Sequence, residues 1–411
     1  MKRKLFALLF VVIFATSMMF GCGSSGRSAS TDDDSSGSDG ITDEEVTLTV
    51  WESAEVEDFI VAAGEAFTEL YPNITIEYVN VELADSTSQI ALDGPAGVGP
   101  DLFAAPHDKL GVLVEAGHVL ETDLDDDTLS SILETCQEAL DYDGVMYGYP
   151  VSVETYALFY NEDLLSADEV PTSWDEVIEM GSSWTDSDYF IGFNVGSGYY
   201  VIPFCTYNGN YPFGYDGLET STSYLLTDDC IAGMEQFQEL RTVLNSPSAD
   251  LSTSAVKSLF TNGNLAIFVS GLWDIESFEE AGINVGAATM PSLLDEDTPS
   301  VTFNGTRAMF VSAYSKNQNE ANAFAQFLMT DEMQELRYEM TGTMPATDIE
   351  VEGDYLDVFY EQLEYSYPMF KNVEAEAYWA SFNAACANIW DGADIEEEFE
   401  AVDSTVTSSA E

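Results

Sequence analysis

"VTLTVWESAEVEDFIVAAGEAFTELYPNITIEYVNV" (residues 46–81) sets one helical run between two β-type runs. Val46–Glu52 is rich in β-branched and aromatic residues, which suit a pleated, half-buried surface. Phe59, Ile60, Ala63, Phe67 and Leu70 then recur at helical spacing, and Pro72-Asn73 stops that helix. Ile74–Val81 reads as a second strand, so the stretch is a β-α-β unit and predicts an α/β sheet. Downstream, Asp101–Ala105 offers a short strand and Leu110–Val119 a helix. Ser173 with Glu176 forms the spacing of a capping box. Residues 321–340 read as one long or two adjoining helices, and Tyr355–Tyr365 as another. No internal repeat and no long internal linker interrupts the pattern, which argues against domains strung on a single hinge peptide.

Upstream of the β-α-β unit lie Lys2, Arg3 and Lys4 and then an apolar run from Leu5 to about Phe14, the charged and hydrophobic regions of a secretory signal. The run is short for a permanent membrane span. Cys22 follows Gly21 directly, an arrangement resembling the bacterial lipoprotein signal, in which the cysteine is diacylated and becomes the new N-terminus. The reading is therefore a signal peptide at 1–21 and a lipidated flexible tether at 22–45, rich in Ser, Gly and Asp with almost nothing apolar to bury. Two acyl chains give stable anchoring where one does not. The expected location is the extracellular face of a bacterial cell membrane. The remaining residues are enough for two ordinary domains with real cores.

Among 411 residues there are 75 Asp and Glu but only 11 Lys and Arg, three of which leave with the signal. Nucleic acid is excluded as a partner, because phosphate binding needs basic clusters that this chain lacks. Such charge keeps a tethered protein soluble. Beyond Cys22, the cysteines are Cys136, Cys205, Cys230 and Cys386; no CxxC occurs, and a Cys205–Cys230 pairing is open but not implied by spacing. No phosphate-binding loop, HExxH or GxSxG is present. The two histidines, His107 and His118, cannot readily build a zinc site or a triad. Paired carboxylates could serve a glycosidase, but with 75 acids such pairs arise by chance. The sequence thus predicts no enzyme, no metal and no cofactor.

What remains is a set of aromatics, including six tryptophans. A pyranose lays its apolar CH face on an aromatic ring and turns its hydroxyl edge to carboxylates and amides. The motifs carrying these residues run in the order of one family. "TLTVWE", "GPDLFAAPHDKLGVLVEAGHVLE", "YDGVMYGYPVSVETYALFYNEDLL", "PTSWDEV", "FNVGSGYYVIP", "LAIFVSGLWDIESF", "FLMTDEMQEL" and "YWASFNAACANIW" resemble the maltose/maltodextrin-binding proteins, the solute-binding lipoproteins of carbohydrate ABC transporters. The similarity extends from about Val46 to the C-terminal end.

That resemblance implies a two-lobed, periplasmic-binding-protein-like α/β fold of type II, with several crossings and a ligand cleft between lobes. It implies an N-terminal lobe at 46–152 and 304–348 and a C-terminal lobe at 153–303 and 349–411. The family's ligand groups fall on Trp51, Asp108, Lys109, Glu154, Tyr199, Trp273 and Trp379, with Trp174 as a structural tryptophan. The implied partners are an oligosaccharide and the permease subunits of a transporter, with the receptor acting as a monomer and closing about a hinge. Departures from the family pattern stand at Val56, Ala105, Ser197 and Asn383, which replace polar or aromatic sugar contacts, and at Lys109, which replaces an arginine. They bear on maltose as the ligand more than on carbohydrate as its class. A non-sugar solute such as a polyamine or peptide is the alternative, and a glycan-active enzyme a more distant one.

Overall fold

The computed structural model describes residues 40–409. The signal peptide, Cys22 and residues 22–39 of the tether lie outside the described residues. Among the described residues, those from Gly40, five residues before the expected end of the tether, already contact the fold. Asn319 Nδ2 donates to the Gly40 carbonyl, Asn73 Nδ2 to those of Thr42 and Glu44, and Thr42 N–H donates to Glu320. Side-chain amides and the Glu320 carboxylate thus take up backbone groups of a segment with no regular structure of its own.

The β-α-β unit forms as expected. Strands β1 (Val46–Glu52) and β2 (Ile74–Asn80) pair in parallel with Val46 opposite Ile74, and β3 (Leu102–Pro106) joins the other edge of β1. The helix between them, Glu57–Leu70, buries Phe59, Ile60, Ala63 and Phe67 against the sheet, while Leu70 turns to solvent. A small hairpin, β4 (Asp141–Tyr142) and β5 (Val145–Met146), precedes β6 (Tyr149–Glu154). The chain then builds β7 (Ala157–Asn161), β8 (Tyr189–Gly192), β9 (Leu265–Ser270) and β10 (Val285–Ala288), and later β11 (Thr302–Val311) and β12 (Ser366–Pro368).

Apart from the β4–β5 hairpin, these strands make two separate sheets. One has six strands in the order β12-β11-β3-β1-β2, with β6 also paired to β11; the other has the order β10-β7-β9-β8. β6 belongs to the first sheet and β7 to the second, so Thr155 and Tyr156 alone carry the chain across. It returns between β10 and β11. Thr155 Oγ1 bonds Thr302 Oγ1 at 2.8 Å and the Phe303 carbonyl at 2.9 Å, which pins the two crossings side by side. The helix Asp331–Thr341 packs on Glu57–Leu70, whereas Ala375–Trp390 and Ile395–Ser409 pack together and on Asp228–Glu239, so the chain crosses again near its end.

Local details refine the expectations. Residues 321–340 are two helices, Gln318–Phe327 and Asp331–Thr341. The helix expected over Leu110–Val119 ends at Glu115, and Gly117 follows at φ 67°. The Ser173 hydroxyl accepts from Glu176 N–H at 3.2 Å, but the Glu176 carboxylate bonds the Thr172 N–H and hydroxyl, not Ser173 N–H. The reciprocal box is therefore not formed there; it occurs at Ser166 and Glu169. Trp174 is fully buried and its indole N–H donates to Ser300 Oγ at 3.1 Å, as suits a structural tryptophan. Cys136, Cys205, Cys230 and Cys386 are buried free thiols, and the Cys205–Cys230 pairing left open by the sequence is not made.

Candidate functional site

A cavity of about 440 Å³ opens at the carboxyl ends of the sheets. The turn after β1 brings Glu55 and Val56, the end of β6 brings Glu154, and the turn after β9 brings Trp273. Glu276 and Arg307 complete the polar wall, with the segment Met340–Met344 along the opposite side. Ligands of open α/β sheets gather at such strand ends, where the chain leaves the sheet and side chains are free to face outward.

Trp273 is held in place although it is 43% exposed. Its ring lies so close over Gly271 that a Cβ there would come within 2.1 Å of it, so the turn needs glycine. The next residue, Asp274, is buried and fixed by Lys257 at 2.8 Å and by the Ser270 hydroxyl at 2.5 Å. An exposed indole on a rigid turn is a surface waiting for an apolar face.

Glu154 stands across β11 from Gly305, with which it is in register. A Cβ on Gly305 would lie 2.9 Å from its Cγ, so this glycine leaves the glutamate its room. The carboxyl is open to the cavity but walled by protein; desolvation raises its pKa, and Arg307 partly offsets that rise. Next to it, the Tyr199 hydroxyl is buried with no hydrogen-bond partner among the described residues. Burial first, and the Glu154 charge second, push that phenol well above its ordinary pKa. The Tyr199 ring stacks at 6.2 Å on Phe303, and Phe303 meets Trp379 edge-on at 5.7 Å. Trp379 leans further on Phe370 at 5.6 Å and on Tyr378 at 5.5 Å. Tyr199, Phe303 and Trp379 thus form a packed aromatic cluster, with Phe303 fully buried at its centre and Tyr199 and Trp379 partly exposed.

The structure brings Glu154 and Trp273 into one cavity; Tyr199 and Trp379 do not line it and meet each other through the buried Phe303. Trp51 is not brought there. Alternation along β1 turns it to the face covered by Ile90, Phe103, Leu110 and Phe310, where it is 4% exposed. Asp108 and Lys109 pair with each other at 3.3 Å, partly buried, and are not among the residues lining this cavity. Of the departures, Ala105 is fully buried and Asn383 accepts from Gly198 N–H at 2.7 Å, so both serve the fold. Residues the sequence reading missed are Arg307 and its partners Glu52 and Glu55. The available signal was a lone arginine inside the apolar strand "TFNGTRAMFV" of a chain with so few basic residues.

Two α/β sheets joined by repeated crossings, with an aromatic and acidic cavity at their strand ends, define a two-lobed binding protein. The sequence profile described as "Bacterial extracellular solute-binding protein" matches residues 62–355, and the chain belongs to this family. It is 31% identical over 307 residues to the galactooligosaccharide-binding protein of Bacillus subtilis, covering 73% of this chain and 72% of that one. It is 26% identical to the maltotriose-binding protein of Pyrococcus abyssi, over 83% of this chain and 77% of that one. Among solved structures, a cyclo/maltodextrin-binding protein complexed with maltotetraose superposes with a TM-score of 0.82 at 27% identity, covering 92% of this chain and 99% of its own. A Staphylococcus aureus extracellular solute-binding protein in complex with maltose superposes with a TM-score of 0.78 at 26% identity, covering 88% and 97%.

Proposed function

We propose that this protein is a lipid-anchored receptor that captures an oligosaccharide, maltodextrin-like or related, and presents it to the permease of an ABC transporter without catalysing a reaction. The observation that carries the reading is the pairing of an exposed, rigidly seated indole, Trp273, with the Glu154 carboxylate in one cavity, beside a packed aromatic cluster of Tyr199, Phe303 and Trp379. Stacking surface and hydrogen-bonding edge are the two halves of a sugar site. The relatives and complexes named for oligosaccharides support the same class.

Trp273 and Trp379 would stack the sugar, and Glu154 and the Tyr199 hydroxyl would take its hydroxyl groups. The neighbourhood of Asp108 and Lys109 would contribute once the lobes close. The lobes run over 46–152 with 304–348 and over 153–303 with 349–411, except that residues 153–154, 302–303 and β12 pair in the first sheet and belong with the first lobe, and Thr155–Tyr156 with residues 289–301 act as the hinge. Closure follows only if the ligand gains contacts to both lobes, because differential affinity alone shifts such an equilibrium. Diacylated Cys22 would hold the receptor at the outer face of the membrane; among the described residues no helix is long and apolar enough to cross it. Three carboxylates in the cavity wall, Glu55, Glu154 and Glu276, keep a polyamine as the second reading.

Titration of tryptophan fluorescence with malto-, galacto- and xylooligosaccharides and with spermidine separates these. A saturable response to one glycan series, strongly weakened by Trp273→Ala and Trp379→Ala, supports the proposal. A response to spermidine alone would replace it with the second reading.

A further inference from the structure

Arg307 occupies a singular position. It lies midway along β11, paired across Pro106 of β3 on one side and Ser152 of β6 on the other. Immediately beyond it the register with β6 shifts, since Arg307 faces Ser152 while Ala308 faces Pro150. An irregularity of this kind leaves Val151 unmatched and re-aims the neighbouring side chains. The guanidinium is carried to the cavity wall, where it is 14% exposed.

Its surroundings fix it there. Nη2 donates to the Glu52 carboxylate, to Ser53 Oγ at 2.7 Å and to Glu55 at 3.3 Å, and Nη1 donates to Glu55 at 3.3 Å. Glu52 is fully buried and spends its Oε1 on Arg307 and on Ser53 N–H, while its Oε2 has no partner among the described residues. Behind it lies Arg337, 1% exposed, its guanidinium 5.2 Å from the Phe59 ring centre and without a hydrogen-bond partner there. Arg337 and Arg307 both feel the charges of Glu52 and Glu55. A buried carboxylate bonded to a guanidinium is a costly device that is tolerated where its geometry serves a purpose.

A guanidinium has five N–H donors. The bonds to Glu52, Ser53 and Glu55 occupy both hydrogens of Nη2 and one of Nη1, and Nε is buried without a partner. One Nη1 hydrogen therefore remains unspent on a side chain that lines the cavity, while the Glu154 carboxylate, an acceptor, lines the same cavity. Val56, which stands where the family pattern has a sugar-binding lysine, offers no donor.

We propose that Arg307 is a ligand-binding residue of this receptor, oriented by Glu52, and that with Glu154 it reads adjacent hydroxyl groups of a sugar ring. One hydroxyl accepts from the guanidinium and its neighbour donates to the carboxylate. Arg307 so supplies the cationic donor that the chain lacks at Val56. The inference rests on the oligosaccharide reading. It goes further in naming which residue reads the hydroxyl pattern.

The test is calorimetric titration of the full chain, wild type and variants, with maltotetraose and with a galactooligosaccharide. Arg307→Lys keeps the charge that Glu52 requires but lacks the planar fork. It is expected to leave the urea midpoint nearly unchanged and to weaken binding about tenfold or more, the worth of a hydrogen bond to a charged group. Arg307→Met, expected to be less stable, is the second variant. Combining Arg307→Lys with Glu154→Gln should cost less than the product of the single losses, because both changes break one pairwise reading. Glu52→Gln should weaken binding in the same direction as Arg307→Lys. Wild type that binds while folded Arg307→Lys retains affinity within about twofold overturns this inference alone. Wild type that binds neither sugar overturns the oligosaccharide reading, and this inference with it.

Discussion

Acid should destabilise this protein through His107 by an amount that can be worked out in advance. His107 is fully buried in the turn after β3, and its Nδ1 accepts from Thr306 N–H at 3.0 Å. Burial, with a smaller contribution from the Lys371 charge, lowers its pKa to about 3 from the ordinary 6.5. The folded value lies below the unfolded one, so below about pH 6.5 the unfolded chain takes a proton that the native protein refuses. Stability due to this group is full above about 6.5 and is lost progressively as pH falls towards about 3. At about 1.4 kcal/mol per pH unit, the loss between pH 8 and pH 5 is about 2 kcal/mol. Carboxylates add their own pH dependence, so the assay compares wild type with His107→Asn, whose side-chain oxygen can accept from Thr306 N–H in place of Nδ1. Urea unfolding at pH 8, 6.5 and 5 should show the wild type losing about 2 kcal/mol more than the variant. Parallel loss in the two proteins would refute the reasoning and place a charged or solvated imidazole in the fold.

Three further outcomes follow from particular contacts. Lys371 is buried, donates to the Glu138 carbonyl, and has a pKa lowered by burial to about 8; stability should therefore rise with pH between about 8 and 10.5, at up to about 1.4 kcal/mol per unit. Lys371→Met should lack that rise in thermal melts. Gly271→Ala must displace the Trp273 ring, which a Cβ would approach to 2.1 Å. Because the ring is substantially exposed, the urea midpoint should shift by about 1 kcal/mol or less while glycan affinity falls roughly tenfold. Trp174→Ala removes a fully buried indole and its bond to Ser300; it should cost about 3–5 kcal/mol in urea unfolding and leave the affinity of the folded fraction unchanged.

The parts of the fold that were legible are those whose signal is local. The β-α-β opening declares itself through apolar period and the Pro72-Asn73 stop, and both strands and the helix lie where that pattern puts them. The passage at Thr155–Tyr156 does not. No local signal breaks residues 149–161; the resemblance alone puts a lobe boundary at 152/153, and strand pairing puts the passage at Thr155–Tyr156, with its halves in different sheets. The same is true within β1, where strand alternation buries Trp51 beneath one face and sends Glu52 to the other, where it bonds Arg307. Arg307 and Glu52 are 255 residues apart, so no window of sequence could pair them. At Ser173 the spacing of a capping box is present, but Thr172 supplies a competing hydroxyl and N–H for Glu176. Gly-Pro-Asp before β3 has a plain physical reason: Asp101 accepts from Thr49 N–H at 2.9 Å and from the Ser315 hydroxyl at 2.5 Å, tying the ends of β1 and β3 to the loop after β11.

Trp273, Glu154, Tyr199 and Trp379 come from four separate segments, and the account holds that they converge to bind a sugar. The most direct measurement is isothermal titration of the purified full chain with maltotetraose and with a galactooligosaccharide, in parallel with small-angle scattering of the free and saturated protein. The account predicts saturable binding to at least one of them with a smaller radius of gyration on saturation. Absence of binding to either by a folded sample, or binding that Trp273→Ala and Trp379→Ala leave untouched, would contradict it.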